Sequence, residues 1–450
     1  MKKLVYAGVM AYQVLLTLVV AVQSHGVALR KVWSDGLYHT ELMNVLPLLL
    51  LGCALILLLA GCAMLLDSDG RFMKLLVPVF LLLGTGIVFQ IIDKPQNALR
   101  HILCICIAVA FGCVCFFCSA VNLSSHSFRR LMRVVMVLSA LAVLTALVFR
   151  RNRTGGLWGE TAKLVTIYLC AIAFPHIRQR QQRRLFYGAM ASLLLSVLFM
   201  RDFGTAIILL CIMLCAMLYV EPGKAVLVSV GAVLLAGAGV FALRLFKPDS
   251  YLLERIDICG KVLLDNTTNE NFRQLLLSIV RGGALGTGAS GANAWYAIYA
   301  SASQHDFVFL AITATFGVGL AFVILASYAA IGLECCNRRK ARTNKRALTI
   351  NVTGFALVIQ ATLSILGQLN LIPLTGITTP FLAYGGSSML VSFGMLGIAL
   401  SARLSAPQLG SIQFYADCML DRIPLDTVND LTDNIHTSIY NLYRKAAHKS

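Results

Sequence analysis

The chain has 450 residues, 58% hydrophobic and only 13% charged, and its 38 Lys and Arg outweigh 20 Asp and Glu for a formal charge of +18. With a mean hydropathy of +0.79, this excludes a water-soluble globule, because soluble domains are about a quarter charged. It also excludes a nucleic-acid partner, which would need basic residues gathered on one soluble face; here they are scattered between apolar runs.

A bilayer core about 30 Å thick is crossed by roughly 20 apolar helical residues. About twelve such runs are expected, at 4–23, 45–66, 75–92, 102–121, 134–149, 162–175, 185–200, 203–220, 225–243, 307–333, 348–371 and 385–404. The predicted fold class is therefore all-α, a polytopic membrane helical bundle of about twelve transmembrane helices with a long extracytoplasmic loop. Lys2 and Lys3 precede the first run as in a signal peptide, but no small-residue cleavage site follows its roughly twenty residues, so it is expected to stay as a helix.

Short cytoplasmic loops collect Lys and Arg, and that excess sets orientation. With both termini inside, the short inner loops carry 18 basic residues and the short outer segments 9. Both termini are therefore expected in the cytoplasm of a multi-pass protein. Residues 244–305 then form the long outer loop and 405–450 an inner tail with at most a surface helix. The inner side takes +14 of the net charge and the outer side +4.

Of fourteen cysteines, ten lie in apolar runs with no histidine at ligand spacing, where they pack as small hydrophobes. Cys259 alone falls in the outer loop, so no internal disulfide is expected there.

Ionisable and Gly/Pro-rich segments at membrane depth are costly, and each is a functional hypothesis. Glu160 and Lys163 stand three apart on one helical face at the outer entrance to a run; an interfacial capping or snorkelling ion pair is the alternative. Asp202 opens the run at 203–220, and an N-terminal cap is its simplest role. The glycine cluster 282–288 lacks the strand and helix of a nucleotide loop, so its glycines are expected to let backbone approach backbone. Asp306 sits at the outer mouth of an apolar run, a placement that suits a general base. The irregular segment 370–388 must be covered by protein or line a cavity.

In order, these places resemble the SEDS family (shape, elongation, division and sporulation), whose members include RodA, FtsW and SpoVE. PLTGITTPFLAYGGSS resembles the family's P-x-T-G-x-x-x-P-F-x-S-Y-G-G-S-S, with Ala383 for Ser. HDFVF is similar to T-D-F-I-F, RDFGTAI to Q-P-D-x-G-T-A, GETAKL to P-S-E-x-A-K-L, and FRQLLLSIVRGGALGTG to the family's Q-S-x-x-A-I-x-S-G-G-x-x-G-x-G. Family members have ten spans, three before P-S-E where five are counted here, which implies two extra N-terminal helices. The implied division is 1–149 as N-terminal helices, 150–404 as the catalytic membrane region and 405–450 as the tail.

The resemblance implies a bacterial cell-membrane glycosyltransferase that polymerises lipid II into glycan strands beside a class B penicillin-binding protein, among membrane lipid. The alternatives weighed are a silent scaffold for a partner polymerase and a flippase for a lipid-linked precursor. The resemblance makes Asp306 the general base and Lys163 its catalytic partner. It places Glu160, Arg153, Asp202, Thr375, Tyr384, Gly385, Gly386, Ser387 and Ser388 around the substrate, with Arg150 and Arg151 near the pyrophosphate. No cofactor is required, and a divalent cation is left open. Trp158-Gly159 replaces P-S, Met200-Arg201 replaces Q-P, and Ala314-Thr315 replaces two acids after T-D-F-I-F, so the site is expected to be more cationic than its relatives.

Overall fold

A computed structural model describes residues 2–35, 39–67, 69–121, 125–149, 155–173, 179–200, 202–246, 253, 279–280, 282–288, 305–335, 345–404, 408 and 410–413. Among them the regular elements are helices: α1 (Lys2–Asp35), α2 (His39–Leu66), α3 (Met73–Asp93), α4 (Pro95–Ala120), α5 (Ser125–Phe149), α6 (Gly155–Ala173), α7 (Arg180–Phe199), α8 (Phe203–Val220), α9 (Pro222–Phe246), α10 (Val308–Phe316), α11 (Val318–Cys335), α12 (Lys345–Gln368) and α13 (Gly386–Ser401). All twelve expected runs fall on helices. Among the described residues, six helices are long and apolar enough to cross a membrane, and α8, α9 and α13 contain shorter apolar stretches. The fold is a polytopic helical membrane bundle.

The helices differ in what they bury. In α3, 78% of the most apolar stretch is buried inside the protein and in α12 61%, against 28% in α1, α2 and α4. The two former are central, and the others turn a broad apolar face outward, as a lipid solvent allows.

Small residues bring α4 and α13 into backbone contact. A Cβ on Gly397 would lie 2.1 Å from the Gly112 carbonyl oxygen, and one on Gly112 would lie 2.8 Å from that of Phe393. Ser119 and Ser401 share a 2.5 Å hydrogen bond one turn further on. Close approach through small residues is what drives helix pairing where lipid supplies no hydrophobic force. At the N-terminal end, Tyr6 of α1 donates to Asp67 at 3.2 Å. Asp67 also accepts the Met73 amide at 2.9 Å, so one carboxylate fixes α1 against the start of α3.

Two departures from regular helix shape the site. The run expected at 307–333 is divided into α10 and α11 at Gly317, whose φ of +88° disfavours any side chain. The glycine cluster supplies partners for the interrupted backbone: Thr287 N donates to the Ala314 carbonyl at 3.0 Å and Val318 N to that of Gly283 at 3.1 Å. A Cβ on Gly286 would lie 2.2 Å from Thr315 O, so backbone does approach backbone here.

The second departure is the segment between α12 and α13, where Asn370, Gly376 and Phe381 have positive φ. Residues 379–383 are buried, and protein covers them. Gly86 of α3 packs on the Phe381 and Leu382 carbonyls, Gln90 donates to Leu382 O at 3.4 Å, and the Tyr328 hydroxyl of α11 donates to Pro380 O at 2.5 Å. Ala383, with the amide donating to Thr379 O at 3.1 Å, is 2% exposed, so the missing serine leaves no hydroxyl to satisfy.

Candidate active site

The beginnings of α6 and α8 meet the segment before α13. Asp202 caps α8, its Oδ1 accepting the Thr205 amide at 3.0 Å, as a residue ahead of a helix does for an unpaired N–H. A Cβ on Gly159 would lie 2.6 Å from Asp202 Oδ2, so glycine in place of the family's serine is what lets α6 come this close. Two residues into α8's entry, a Cβ on Gly204 would lie 2.9 Å from that of Thr375. Glycines at 159 and 204 thus bring three of the five motifs together. Trp158 also has a task, donating from its indole to Ser196 of α7 at 2.9 Å.

Lys163 is buried, with its side chain 1% exposed, and its ammonium lies 2.7 Å from Glu160 Oε1 and 3.1 Å from Gln360 Oε1. The i,i+3 spacing on α6 makes the first contact and α12 supplies the second. Gln360 passes the connection on, donating to Thr378 O at 3.0 Å, and Thr378 shares a 2.5 Å hydrogen bond with Ser388. Glu160 Oε2 is buried with no hydrogen-bond partner among the described residues.

Asp306 lies in the turn that opens α10, and this turn is held on both sides. Before it, His305 Nδ1 hydrogen-bonds the carbonyl of Tyr384, and the two rings meet edge to face with centroids 5.4 Å apart. After it, Gln368 Oε1 accepts the Phe309 and Leu310 amides at 2.9 and 3.3 Å, first-turn donors that have no acceptor within their own helix. Gln368 Nε2 donates to Ser364 at 3.0 Å and to Thr379 at 3.1 Å, which ties the turn to the irregular segment. The half-buried Asp306 is therefore placed by side chains from α12 and from the loop ahead of α13.

Gly385 and Gly386 begin α13, with the Met389 amide donating to Gly385 O at 3.0 Å; Gly386 is exposed, Ser387 half-buried and Ser388 buried. Arg150, Arg151 and Arg153 lie outside the described residues. Among those described, no three His, Cys, Asp or Glu side chains converge as ligands for a metal ion.

Four residues to which the motifs give no role take part. Gln360 and Gln368 are joined by Ser364 into a polar stripe at i, i+4 and i+8 on an apolar helix. That stripe is readable in sequence, because a polar face at membrane depth needs partners. His305 and His101 are harder to see. His101 of α4 is 2% exposed, its ring lies 5.4 Å from that of Tyr384, and neither of its nitrogens has a hydrogen-bond partner among the described residues.

Residues 93–407 match the family described as Cell cycle protein, that of FtsW, RodA and SpoVE, which leaves α1, α2 and nearly all of α3 ahead of the match. The chain is 30% identical over 259 residues to a probable peptidoglycan glycosyltransferase FtsW of Halorhodospira halophila, covering 53% of this chain and 61% of that one. It is 27% identical over 300 residues to a probable peptidoglycan glycosyltransferase FtsW of Bacillus subtilis, covering 60% and 72%. A peptidoglycan glycosyltransferase RodA of Mycobacterium leprae is 30% identical over 215 residues, covering 46% and 43%. The chain spans less than two thirds of the length of the first four of its curated relatives. Among solved structures, a chain of a peptidoglycan synthase complex that coordinates polymerization and crosslinking shares the fold, with a TM-score of 0.51 and 22% identity over 74% of this chain and 97% of that one. Because the family match takes in well over half of its residues, the chain belongs to the FtsW, RodA and SpoVE family.

Proposed function

We propose that the chain is a peptidoglycan glycosyltransferase that polymerises lipid II at the outer membrane face, with residues 150–404 as its catalytic region and both termini in the cytoplasm. The observation that carries this reading is the bracing of the Asp306 turn by Tyr384 and Gln368, which fixes one carboxylate against the segment with the family's longest motif.

Growth of a glycan strand joins a sugar hydroxyl to the anomeric carbon of a polyprenyl-pyrophosphate donor. The hydroxyl loses its proton to Asp306 as its oxygen attacks; the bond from the anomeric carbon to pyrophosphate breaks with its electrons staying on the leaving group. A placed general base contributes about 10²- to 10⁴-fold to such a step. Lys163 adds fixed positive charge, and the amides at the start of α13, at Gly386, Ser387 and Ser388, favour an anionic pyrophosphate. Arg153 is assigned to the same anion, and Glu160, Asp202, Thr375, Tyr384 and Gly385 shape the site around it. The apolar outer helix faces give the polyprenyl tail a surface. A class B penicillin-binding protein is the assigned partner.

Purified full chain with labelled lipid II, with and without that partner, tests the reading. Strands are expected, and Asp306→Asn is expected to lower the rate at least about 10²-fold. Strands formed equally by Asp306→Asn would remove the assigned base. One observation favours a second reading, a scaffold for a partner polymerase: Ala314 and Thr315, in place of two acids, are 3% and 1% exposed and packed against the glycine cluster. Lack of polymerisation under every condition would favour that alternative over the first.

A further inference from the structure

We propose that the corner where α3 begins and α11 and α13 end holds the phosphate of an anionic phospholipid. It lies at the far end of α13 from Gly386 and is therefore distinct from the candidate active site; with both termini in the cytoplasm it belongs to the inner leaflet. The proposal needs neither Asp306 nor the glycosyltransferase reading, and its test reads binding alone.

A cavity of about 410 Å³ opens at this corner, lined by Asp69, Arg71, Lys74, Glu334 and Arg403, with α12 as a further wall. That volume falls within the roughly 300–1,000 Å³ of ligand sites. Its cations are one fixed and two adjustable. Arg403, with its side chain 10% exposed, spans two partners: one terminal nitrogen lies 2.8 Å from Glu334 Oε1 and the other donates to the Arg71 carbonyl at 2.6 Å. Lys74 and Arg71 stand at the edge with exposed side chains, Lys74 3.5 Å from Glu334 Oε2 and Arg71 2.9 Å from Asp69. Exposed ion pairs of this kind contribute little to stability, so both cations can turn toward an incoming anion at small cost.

Charge selects the ligand. Among the described residues lining the cavity, three cations face two carboxylates, which leaves one positive charge. A phosphodiester with an uncharged head, as in phosphatidylglycerol, brings one negative charge and closes the balance, whereas a zwitterionic head brings none. The guanidinium of Arg71 also offers paired N–H donors at the spacing of phosphate oxygens. An apolar strip favours a lipid over a soluble phosphate. Leu333, the residue before Glu334, is exposed, as are Leu325 and Phe322 at helical spacing back along α11. An acyl chain can lie on that strip while its phosphate meets Lys74 and Arg71, as in other basic pockets between membrane helices on the cytoplasmic side.

The full chain in neutral detergent is titrated with phosphatidylglycerol, phosphatidylcholine or glycerol phosphate, and mass spectra of the intact protein give the bound fraction. Phosphatidylglycerol should bind much more tightly than the other two. Lys74→Gln with Arg71→Gln should weaken it about 25-fold, about fivefold for each charge removed, and Asp69→Asn, which removes a carboxylate, should tighten it. The same change of charge at exposed positions of α5, Arg130→Gln with Arg133→Gln, should leave it unchanged. Every variant keeps the Arg403 to Glu334 contact, so unfolding midpoints without added lipid should match wild type. Equal binding of phosphatidylcholine, or glycerol phosphate bound as tightly as the lipid, overturns the proposal. So does wild-type affinity in the Lys74 and Arg71 double variant, or an equal loss in the α5 pair, which would make the attraction one of overall charge. Should the double variant not fold, binding by Asp69→Asn that is unchanged or weaker overturns the proposal by itself.

Discussion

Replacing Gln368 with methionine, nearly the same shape but with no hydrogen-bonding group, asks how firmly the Asp306 turn is held. Gln368 is 0% exposed and serves four partners. Loss of Oε1 strands the amides of Phe309 and Leu310, and a buried unsatisfied donor costs about 1–3 kcal/mol. Loss of Nε2 costs less, because Ser364 and Thr379 keep their mutual 2.8 Å hydrogen bond. Side-chain hydrogen bonds between membrane helices average about 0.6 kcal/mol. Together these give a destabilisation of at least about 3 kcal/mol for Gln368→Met. Ser364→Ala, which leaves both amides satisfied, should cost no more than about 1 kcal/mol. Unfolding in mixed detergent, titrated with SDS and followed by tryptophan fluorescence, measures both, and lipid II polymerisation should fall with the first variant and not the second. If Gln368→Met costs no more than Ser364→Ala, the amide of Gln368 is not what holds the turn.

Three further outcomes are expected. Lys163→Met leaves the part-buried Glu160 without its cation and should cost about 3 kcal/mol, the low end for a buried pair, much of it recovered in Lys163→Met with Glu160→Gln, when measured by the same unfolding. Gly286→Ala sets a Cβ 2.2 Å from Thr315 O at a φ of +79° and should abolish folded protein on size exclusion. Gly283→Ala, at +56° with open space around it, should cost only the left-handed penalty of about 1–2 kcal/mol. Between α8 and α9, Glu221 is held below its ordinary value of 4.5, first by a hydrogen bond from Lys224, against the opposing effect of burial, and further by Tyr187 and Arg183. A depressed carboxylate stabilises fully above the unfolded-chain value and loses that contribution as pH falls through the lower folded one. The gap in unfolding midpoint between wild type and Glu221→Gln should therefore be full at pH 6 and close as pH falls below 4.5; a gap constant with pH would contradict it.

What sequence made legible follows from where the signal is local. The helices were readable because a bilayer demands uncharged length, and the Glu160 to Lys163 contact because three residues on a helix return to one face. Asp202 as a cap was readable for the same local reason. The break at Gly317 was not, since the apolar run passes straight through it and the partners of the freed backbone come from residues about thirty positions earlier. His305 and His101 were missed because each gains meaning only when Tyr384 arrives from a distant segment. The stripe of Gln360, Ser364 and Gln368 was a missed opportunity: polar residues four apart within an apolar run state that something polar is packed there.

The two acids absent after HDFVF belong to the same packing as the break. The Ala314 carbonyl accepts both the amide and the hydroxyl of Thr287, at 3.0 and 3.1 Å, and the Thr315 carbonyl lies where no Cβ on Gly286 fits. A carboxylate at either position would have to be buried beside backbone already in van der Waals contact, and burial of an uncompensated charge is costly. Small and neutral side chains at 314 and 315 therefore fit the close approach of the glycine cluster. That approach in turn satisfies the backbone freed at Gly317 and sets the end of α10, the helix that begins beside Asp306. The departure from the family pattern thus acts on the candidate base through packing of its helix at both ends: Gln368 holds the first turn, and the glycine cluster holds the last.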